Sequence, residues 1–256
     1  MVLVLDIGNT NIKLGVFSDK NLINSWRMQT KPGRTADEYG INLINLLNLG
    51  NIKKEDITGA VYCSVFPTLN YTIEHMIEYY LKLKPIVAGA GLKTGINIKY
   101  DNPKEVGTDR IVNSIAAFNL YGKKNPLIII DFGTATTFNV ISKGGEFLGG
   151  PICPGIKVSL DALVNSASKL PRIELIAPLN VVGKSTISNM QSGFIFGFMG
   201  MVDYLIEKIK TETGFHDALV IATGGFAKLL SSDKIVDKVD KTLTLQGLRM
   251  LYELNS

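Results

Sequence analysis

Residues 6–13 read DIGNTNIK, and residues 131–138 read DFGTATTF. In each stretch an aspartate ends an apolar run, a glycine follows two positions later, and short hydroxyl or amide side chains lead into a second apolar run. The two stretches lie 125 residues apart, close to half of the 256-residue chain. A repeat at this spacing predicts two duplicated domains rather than a solenoid of small units.

The apolar patterning around the two copies predicts similar successions of elements. In the first half we expect strands at 2–5, 12–17, 22–28, 60–65 and 85–88 and helices at 35–50, 69–83 and 109–120. In the second half we expect strands at 127–130, 137–141, 146–149 and 218–222 and helices at 155–168, 186–213, 226–230 and 242–255. The polar segment YGKKNP at 121–126 is the best linker candidate, so the predicted domains are residues 1–120 and 121–256.

The composition is that of an ordinary globular protein, with 46% hydrophobic and 20% charged residues. Disordered and fibrous classes are therefore excluded. The net charge of +4 is a small excess, compatible with an anionic ligand but not typical of a nucleic-acid-binding protein.

The two cysteines, Cys63 and Cys153, show no CxxC spacing, so neither a disulfide framework nor a zinc site is expected. The N-terminus has no basic segment typical of a secretory signal, and the longest apolar stretch, at 193–201, is too short to span a bilayer. A cytoplasmic protein in a reducing compartment is the expectation.

The two Asp-Gly turns have the chemistry of a nucleotide site. A glycine lets the backbone approach a ligand and direct N–H groups at phosphate oxygens, while an aspartate at a strand end suits a hard metal ion. The alternative is that each copy is only a tight hairpin, in which Asp-x-Gly is common. A third glycine turn, at 223–225, follows the strand at 218–222 and completes a three-part site.

Residues 100–110, YDNPKEVGTDR, provide the candidate for catalysis. Asp109 can accept a hydroxyl proton as a general base, and the planar fork of Arg110 can hold a carboxylate at a helix N-terminus. The alternative is that Asp109 only caps the helix and that Arg110 is a surface residue. The two histidines, His75 and His216, show no catalytic pattern, and the Phe/Met stripe at 194–201 predicts core or subunit-interface packing.

Taken together, these segments resemble the type III pantothenate kinase family. The resemblance rests on DIGNTNIK at 6–13, GTDR at 107–110, DFGTATT at 131–137, PGIKVSLDALVNSASKL at 154–170, GKSTISNMQSG at 183–193 and the turn at 223–225. It implies an α/β fold of two duplicated ribonuclease-H-like domains of the acetate and sugar kinase, Hsp70 and actin superfamily, with a nucleotide cleft between them. It also implies ATP-dependent phosphorylation of pantothenate, the first step towards coenzyme A, by a homodimer.

The resemblance further implies roles for individual residues. Asp109 would be the general base, and the ATP phosphates would be bound by Asp6, Ile7, Gly8, Asn9, Thr10, Asn11, Ile12 and Lys13, with Thr134 also touching ATP. The pantothenate site would include Tyr100, Gly107, Thr108, Asp109, Arg110 and Thr186. Asp6 would lie close to Mg²⁺, and Asp131 would hold an activating K⁺ or NH₄⁺.

Two other functions compete with this interpretation. Another small-molecule kinase of the same superfamily would have a similar nucleotide site, so only residues 100–110 argue for pantothenate. A catalytically silent regulator would be expected to have lost a catalytic acid, yet Asp6, Asp109 and Asp131 are all present. The chain shows no pattern typical of nucleic-acid or membrane binding.

Overall fold

The computed structural model describes residues 1–122, 124–231 and 235–256. They form two compact units, each built from more than one stretch of chain. The first unit comprises Met1–Gly95, Asn102–Ala116 and Leu243–Ser256, and the second comprises Ile96–Asp101 and Ala117–Thr242.

This division differs from the predicted domains 1–120 and 121–256, because the C-terminal helix belongs to the first unit and residues 96–101 and 117–120 belong to the second. The apolar side of that helix packs on the first sheet, where Leu245 approaches Gly15 and Tyr252 lies over Gly59. The predicted linker at 121–126 includes Lys123, which is outside the described residues. Tyr121 ends a helix, and its hydroxyl donates to Asp240 at 2.8 Å.

The first unit is a five-stranded sheet with helices on both faces. Its strands are β1 (Val2–Ile7), β2 (Asn11–Ser18), β3 (Asn21–Gln29), β4 (Gly59–Ser64) and β5 (Ile86–Val87), in the order β3-β2-β1-β4-β5. Its helices are α1 (Ala36–Leu49), α2 (Asn70–Leu81), the first part of α3 (Thr108–Tyr121), and α7 (Leu243–Asn255).

Alternation along β1 divides its side chains between the two faces of the sheet. Leu3, Leu5 and Ile7 join the core formed with α1 and α2, whereas Val4 and Asp6 point to the opposite face. The predicted capping box starts α1: the Thr35 side chain accepts from the backbone of Glu38, whose carboxylate accepts from the backbone of Thr35.

The second unit repeats this plan. Its strands are β6 (Asn97–Ile98), β7 (Leu127–Phe132), β8 (Ala135–Ile141), β9 (Glu146–Gly149), β10 (Ile152–Pro154), β11 (Leu219–Gly224) and β12 (Lys238–Val239). Six of them are ordered β12-β11-β7-β8-β9-β6, with β10 paired to β8. Helices α4 (Ile156–Ser166), α5 (Thr186–Thr213) and α6 (Ala227–Leu230) cover its apolar core.

The duplication is confirmed strand by strand. The series β3-β2-β1-β4-β5 and β9-β8-β7-β11-β12 have the same order, with antiparallel pairs on one side of β1 or β7 and parallel pairs on the other. The alignment of the two motifs needs one correction: Asp6 lies opposite Lys13, but Asp131 lies opposite Thr137 rather than Phe138. The turn of the second copy is shorter by one residue.

Three short strands, β6, β10 and β12, were not predicted, because two or three residues are too few to show a periodic pattern. The helix predicted at 186–213 is confirmed at both ends. Within the described parts of the chain, we find no helix that combines the length and apolarity needed to cross a membrane.

Candidate functional site

Strand register groups three polar side chains at the end of β1. Asp6 is opposite Lys13 on antiparallel β2 and opposite Cys63 on parallel β4, and registered neighbours point to the same face of a sheet. Lys13 Nζ donates to Asp6 Oδ2 at 3.0 Å, and Cys63 Sγ donates to Asp6 Oδ1 at 3.5 Å. Each carboxylate oxygen of Asp6 therefore has its own donor.

The Cys63 thiol is a neutral donor in this group. Only 1% of Cys63 is exposed, and burial raises the pKa of its thiol well above the ordinary value. The carboxylates of Asp6 and Asp109 raise this pKa further, while the Lys13 ammonium opposes them. The thiol stays protonated at neutral pH, so it can donate to Asp6.

Asp109 lies in the first turn of α3 and belongs to the same electrostatic group. Burial raises the pKa of its carboxyl group above the ordinary value, and the Asp6 carboxylate acts in the same direction. The backbone N–H of Arg110, the charge of Arg110 and the backbone N–H of Asp109 itself lower it by less. A carboxylate whose pKa is raised in this way is a better proton acceptor than an exposed one.

Glycine at position 107 is needed for the placement of Asp109. A Cβ at this position would lie 2.6 Å from Asp109 Oδ1, so a side chain there would displace the carboxylate. Arg110 is 5% exposed, so the alternative that it is a surface residue is wrong. The Thr108 hydroxyl is buried and has no hydrogen-bond partner among the described residues.

The turn between β1 and β2 is held by Thr30, the residue that follows β3. The backbone N–H of Gly8 donates to Asn11 O at 3.0 Å, and the Thr30 hydroxyl donates to Gly8 O at 2.7 Å. Asn9, Thr10 and Asn11 are exposed. These hydrogen bonds hold the backbone of the turn in place, while its polar side chains are exposed to solvent. This arrangement is suited to binding an anion.

In the second unit, Asp131 lies where glycines leave room for its carboxylate. A Cβ on Gly224, which has φ +96°, would lie 2.5 Å from Asp131 Oδ1, and a Cβ on Gly133 would lie 3.6 Å from it. Thr134 follows in the β7–β8 turn, where its carbonyl accepts from the backbone of Gly155 at 3.0 Å. The predicted third glycine turn therefore adjoins Asp131, because β11 pairs with β7.

Tyr100 and Thr186 also belong to the second unit. The Tyr100 ring packs against Phe147, with the ring centroids 6.3 Å apart, and approaches Gly149. Thr186 is the first residue of α5, which Ser185 caps, and it lies on the rim of a cavity of about 610 Å³ along α4 and α5.

Some of the predicted site residues lie close together. The first unit brings together Asp6, Lys13 and Asp109, and the second places Gly133 and Gly224 near Asp131. Sequence reasoning missed Cys63. Its position at the end of a strand parallel to β1 was the available signal, since parallel strands align their carboxyl ends.

A metal ion at Asp6 would need ligands from outside the chain. Among the described residues no group of three or more His, Cys, Asp or Glu side chains could hold a metal ion. Mg²⁺ in phosphoryl-transfer sites is held by one or two carboxylates together with substrate phosphates and water. The Asp6 carboxylate fits that sparse donor set.

Two duplicated α/β units, with an aspartate near the end of β1 and of β7, define a class: the proteins of the actin-like ATPase fold. The model of the type III pantothenate kinase family matches residues 2–208. The chain belongs to that family.

Solved structures share the fold at low sequence identity. One from Campylobacter jejuni, provisionally described as a Baf family transcriptional activator, is 18% identical with a TM-score of 0.62, and the alignment covers 98% of this chain and 97% of that one. The inorganic polyphosphate/ATP-glucomannokinase of Arthrobacter sp. strain KM is 12% identical with a TM-score of 0.53, covering 99% and 98%. A protein from Porphyromonas gingivalis, provisionally described as an N-acetylglucosamine kinase, is 14% identical with a TM-score of 0.51, covering 98% of each chain.

Proposed function

We propose that the protein transfers the γ-phosphoryl group of ATP to the primary hydroxyl of pantothenate, the first step of coenzyme A biosynthesis. The observation that carries this proposal is the family match over residues 2–208, which includes Asp6, Asp109 and Asp131. We also propose a cytoplasmic location. Cys63 and Cys153 are both free thiols, which is compatible with a reducing compartment.

Asp109 is the general base of the proposed reaction. Its carboxylate accepts the hydroxyl proton of pantothenate while the hydroxyl oxygen forms a bond to the γ-phosphorus and the bond to the β-phosphate oxygen breaks, releasing ADP. Its half-buried position and raised pKa support this role. The product is 4′-phosphopantothenate.

Residues of the first unit bind the ATP phosphates in this proposal. The braced β1–β2 turn supplies Gly8, Asn9, Thr10 and Asn11, and Lys13 supplies a cation. Thr134 is assigned to ATP by its match to the family motif. Asp6 lies in the vicinity of Mg²⁺, which when bound neutralises charge on the phosphates.

The residues proposed to bind pantothenate differ in the support that each has. The buried Thr108 hydroxyl, without a partner among the described residues, is available to a substrate oxygen. Arg110 places a cation at the start of α3 for the pantothenate carboxylate. Gly107, Tyr100 and Thr186 are assigned by their match to the family motif.

An assay of ATP consumption tests the function. We expect turnover with pantothenate and none with common sugars, and higher turnover with K⁺ or NH₄⁺ than with Na⁺, because Asp131 is proposed to hold the monovalent cation. Asp131→Asn should remove the difference between K⁺ and Na⁺. Activity on a sugar alone would identify another small-molecule kinase, and no turnover with any substrate would favour a regulator.

The α4–α5 face supports a homodimer. The cavity there is lined mainly by apolar side chains, and Cβ atoms on Gly193 and Gly197 would meet nothing within 4 Å. Nearby in sequence, Leu179 is 99% exposed and Val182 is 83% exposed. Exposed apolar surface of this kind is typical of a protein–protein interface.

Light scattering tests the dimer. We expect a mass twice that of one chain, and Gly197→Glu should yield monomers because it places a charge on the apolar face. Glu207→Gln on the same helix is the control, since Glu207 is exposed and does not line the cavity. A wild-type chain that is monomeric at micromolar concentration would contradict the dimer.

A further inference from the structure

Cys63 is the one member of the Asp6 group to which the proposed function gives no role. It is buried on the same face of the sheet as Asp6 and Lys13, and its Sγ donates to Asp6 Oδ1 at 3.5 Å. Lys13 holds the other oxygen, Oδ2, at 3.0 Å. The two donors approach from opposite neighbouring strands, β4 and β2, so together they fix the rotation of the carboxylate.

We propose that Cys63 is a positioning residue whose thiol donor orients the Asp6 carboxylate for binding the Mg²⁺ that accompanies ATP. The inference rests on the proposed function, because it takes Asp6 to be the carboxylate near Mg²⁺. Cys63 itself touches neither substrate nor metal in this assignment.

The lysine cannot perform this task alone. Lys13 is also proposed to contact the phosphates, and an ammonium on a flexible four-carbon stem can move from Asp6 to a nearby phosphate. The thiol sits on a short side chain of β4, is 1% exposed and faces Asp6 across the parallel pair β1–β4. When Lys13 turns to the nucleotide, Cys63 is the donor that still holds Asp6.

The position of Asp109 makes orientation of Asp6 important. The Asp6 and Asp109 carboxylates interact electrostatically within the first unit, and their like charges repel each other. Without the thiol, Asp6 Oδ1 loses a hydrogen-bond donor at a position with little access to water. The carboxylate would then rotate to find other partners, at the expense of the metal-binding orientation.

The test compares three variants of the full-length protein. Cys63→Ala removes the donor and leaves a smaller side chain, Cys63→Val removes the donor and puts a somewhat larger apolar side chain in its place, and Cys63→Ser keeps a donor at nearly the same size. Cys153→Ala is the matched control, because it removes the other thiol, which is half-buried against the core of the second unit.

Calorimetry measures binding of a non-hydrolysable ATP analogue with and without Mg²⁺. We expect Cys63→Ala and Cys63→Val to weaken Mg²⁺-dependent binding by about tenfold, the typical effect of losing a partner that orients a metal ligand. Binding without Mg²⁺ and the KM for pantothenate should not change. Cys63→Ser should restore most of the Mg²⁺-dependent affinity, and Cys153→Ala should resemble the wild type.

The outcomes separate this inference from the proposed function. Wild-type affinity in both Cys63→Ala and Cys63→Val would overturn the positioning role, as would a Cys63→Ser variant as weak as Cys63→Ala with the same thermal unfolding midpoint. A wild-type protein that binds the Mg²⁺ nucleotide but does not phosphorylate pantothenate would overturn the proposed function, and calorimetry would still decide the role of Cys63. Absence of nucleotide binding by the wild type would overturn both.

Discussion

Asp109→Asn should fold like the wild-type chain and lose pantothenate phosphorylation by a factor of roughly 10²–10⁴, the usual contribution of a positioned general base. The carboxamide keeps the size of the carboxylate but cannot accept a proton. Steady-state turnover with ATP and pantothenate measures the loss. Thermal unfolding confirms that the variant is folded.

The raised pKa of Asp109 gives this prediction a second readout. Wild-type kcat/KM should fall on the acid side as Asp109 becomes protonated, with a midpoint above the ordinary aspartate value because burial favours the protonated form. That acid limb should be absent from the residual activity of Asp109→Asn.

The stability of the variant has a predicted sign as well. A carboxyl group whose pKa is raised on folding destabilises the folded state when it is ionised, so Asp109→Asn should be at least as stable as the wild type at pH 7. The difference should shrink as the pH falls through the raised pKa, because the wild-type carboxyl group then becomes neutral too.

Asp56→Asn is the matched control, because it makes the same change at an exposed site of the same unit. It should leave both turnover and its pH dependence unchanged. Wild-type turnover in Asp109→Asn would remove Asp109 from the role of base, and a variant that unfolds would point to a capping role instead.

Gly247→Ala should destabilise the first unit by about 3 kcal/mol, at the upper end of the usual cost of overpacking. A Cβ on Gly247 of α7 would lie 2.0 Å from the carbonyl oxygen of Val112 in α3, and a backbone atom cannot move aside as a side chain can. The two helices must separate to admit the methyl group. The midpoint of urea unfolding measures the effect.

Gly89→Ala is the control for this prediction. Gly89 is exposed, and a Cβ added there would come no closer than 3.9 Å to its nearest neighbour, the carbonyl oxygen of Val87. This change should alter stability by no more than about 0.5 kcal/mol. Equal unfolding midpoints for Gly247→Ala and the wild type would mean that α7 does not pack closely against α3.

Local pattern was sufficient for most of the fold. The Thr35 capping box, the 28-residue helix α5 and the paired hairpins after Asp6 and Asp131 are all confirmed. These features depend on interactions between residues close in sequence. Such interactions give the periodic pattern of apolar residues from which a helix or hairpin is predicted. The repeat also predicted that the two halves share one plan, and both sheets have the same strand order.

Features that depend on contacts between residues far apart in the chain were not predicted from the sequence. The return of α7 to the first unit depends on Leu245 meeting Gly15 and Tyr252 meeting Gly59, contacts that no local pattern records. The burial of Arg110 also needs the whole first unit, since the residue alone favours the surface.

The sequence by itself therefore determined the duplicated α/β fold, the two Asp-Gly turns and the identity of Asp109 as the candidate base, because each is written in a short motif or its repetition. Only the tertiary structure decided that Cys63 faces Asp6, that Gly107 makes room for the Asp109 carboxylate and that burial raises the pKa of that group. The physical reason is that hydrogen bonding, steric room and desolvation depend on which atoms surround a group. In this protein those atoms come from strands and helices far apart in the chain.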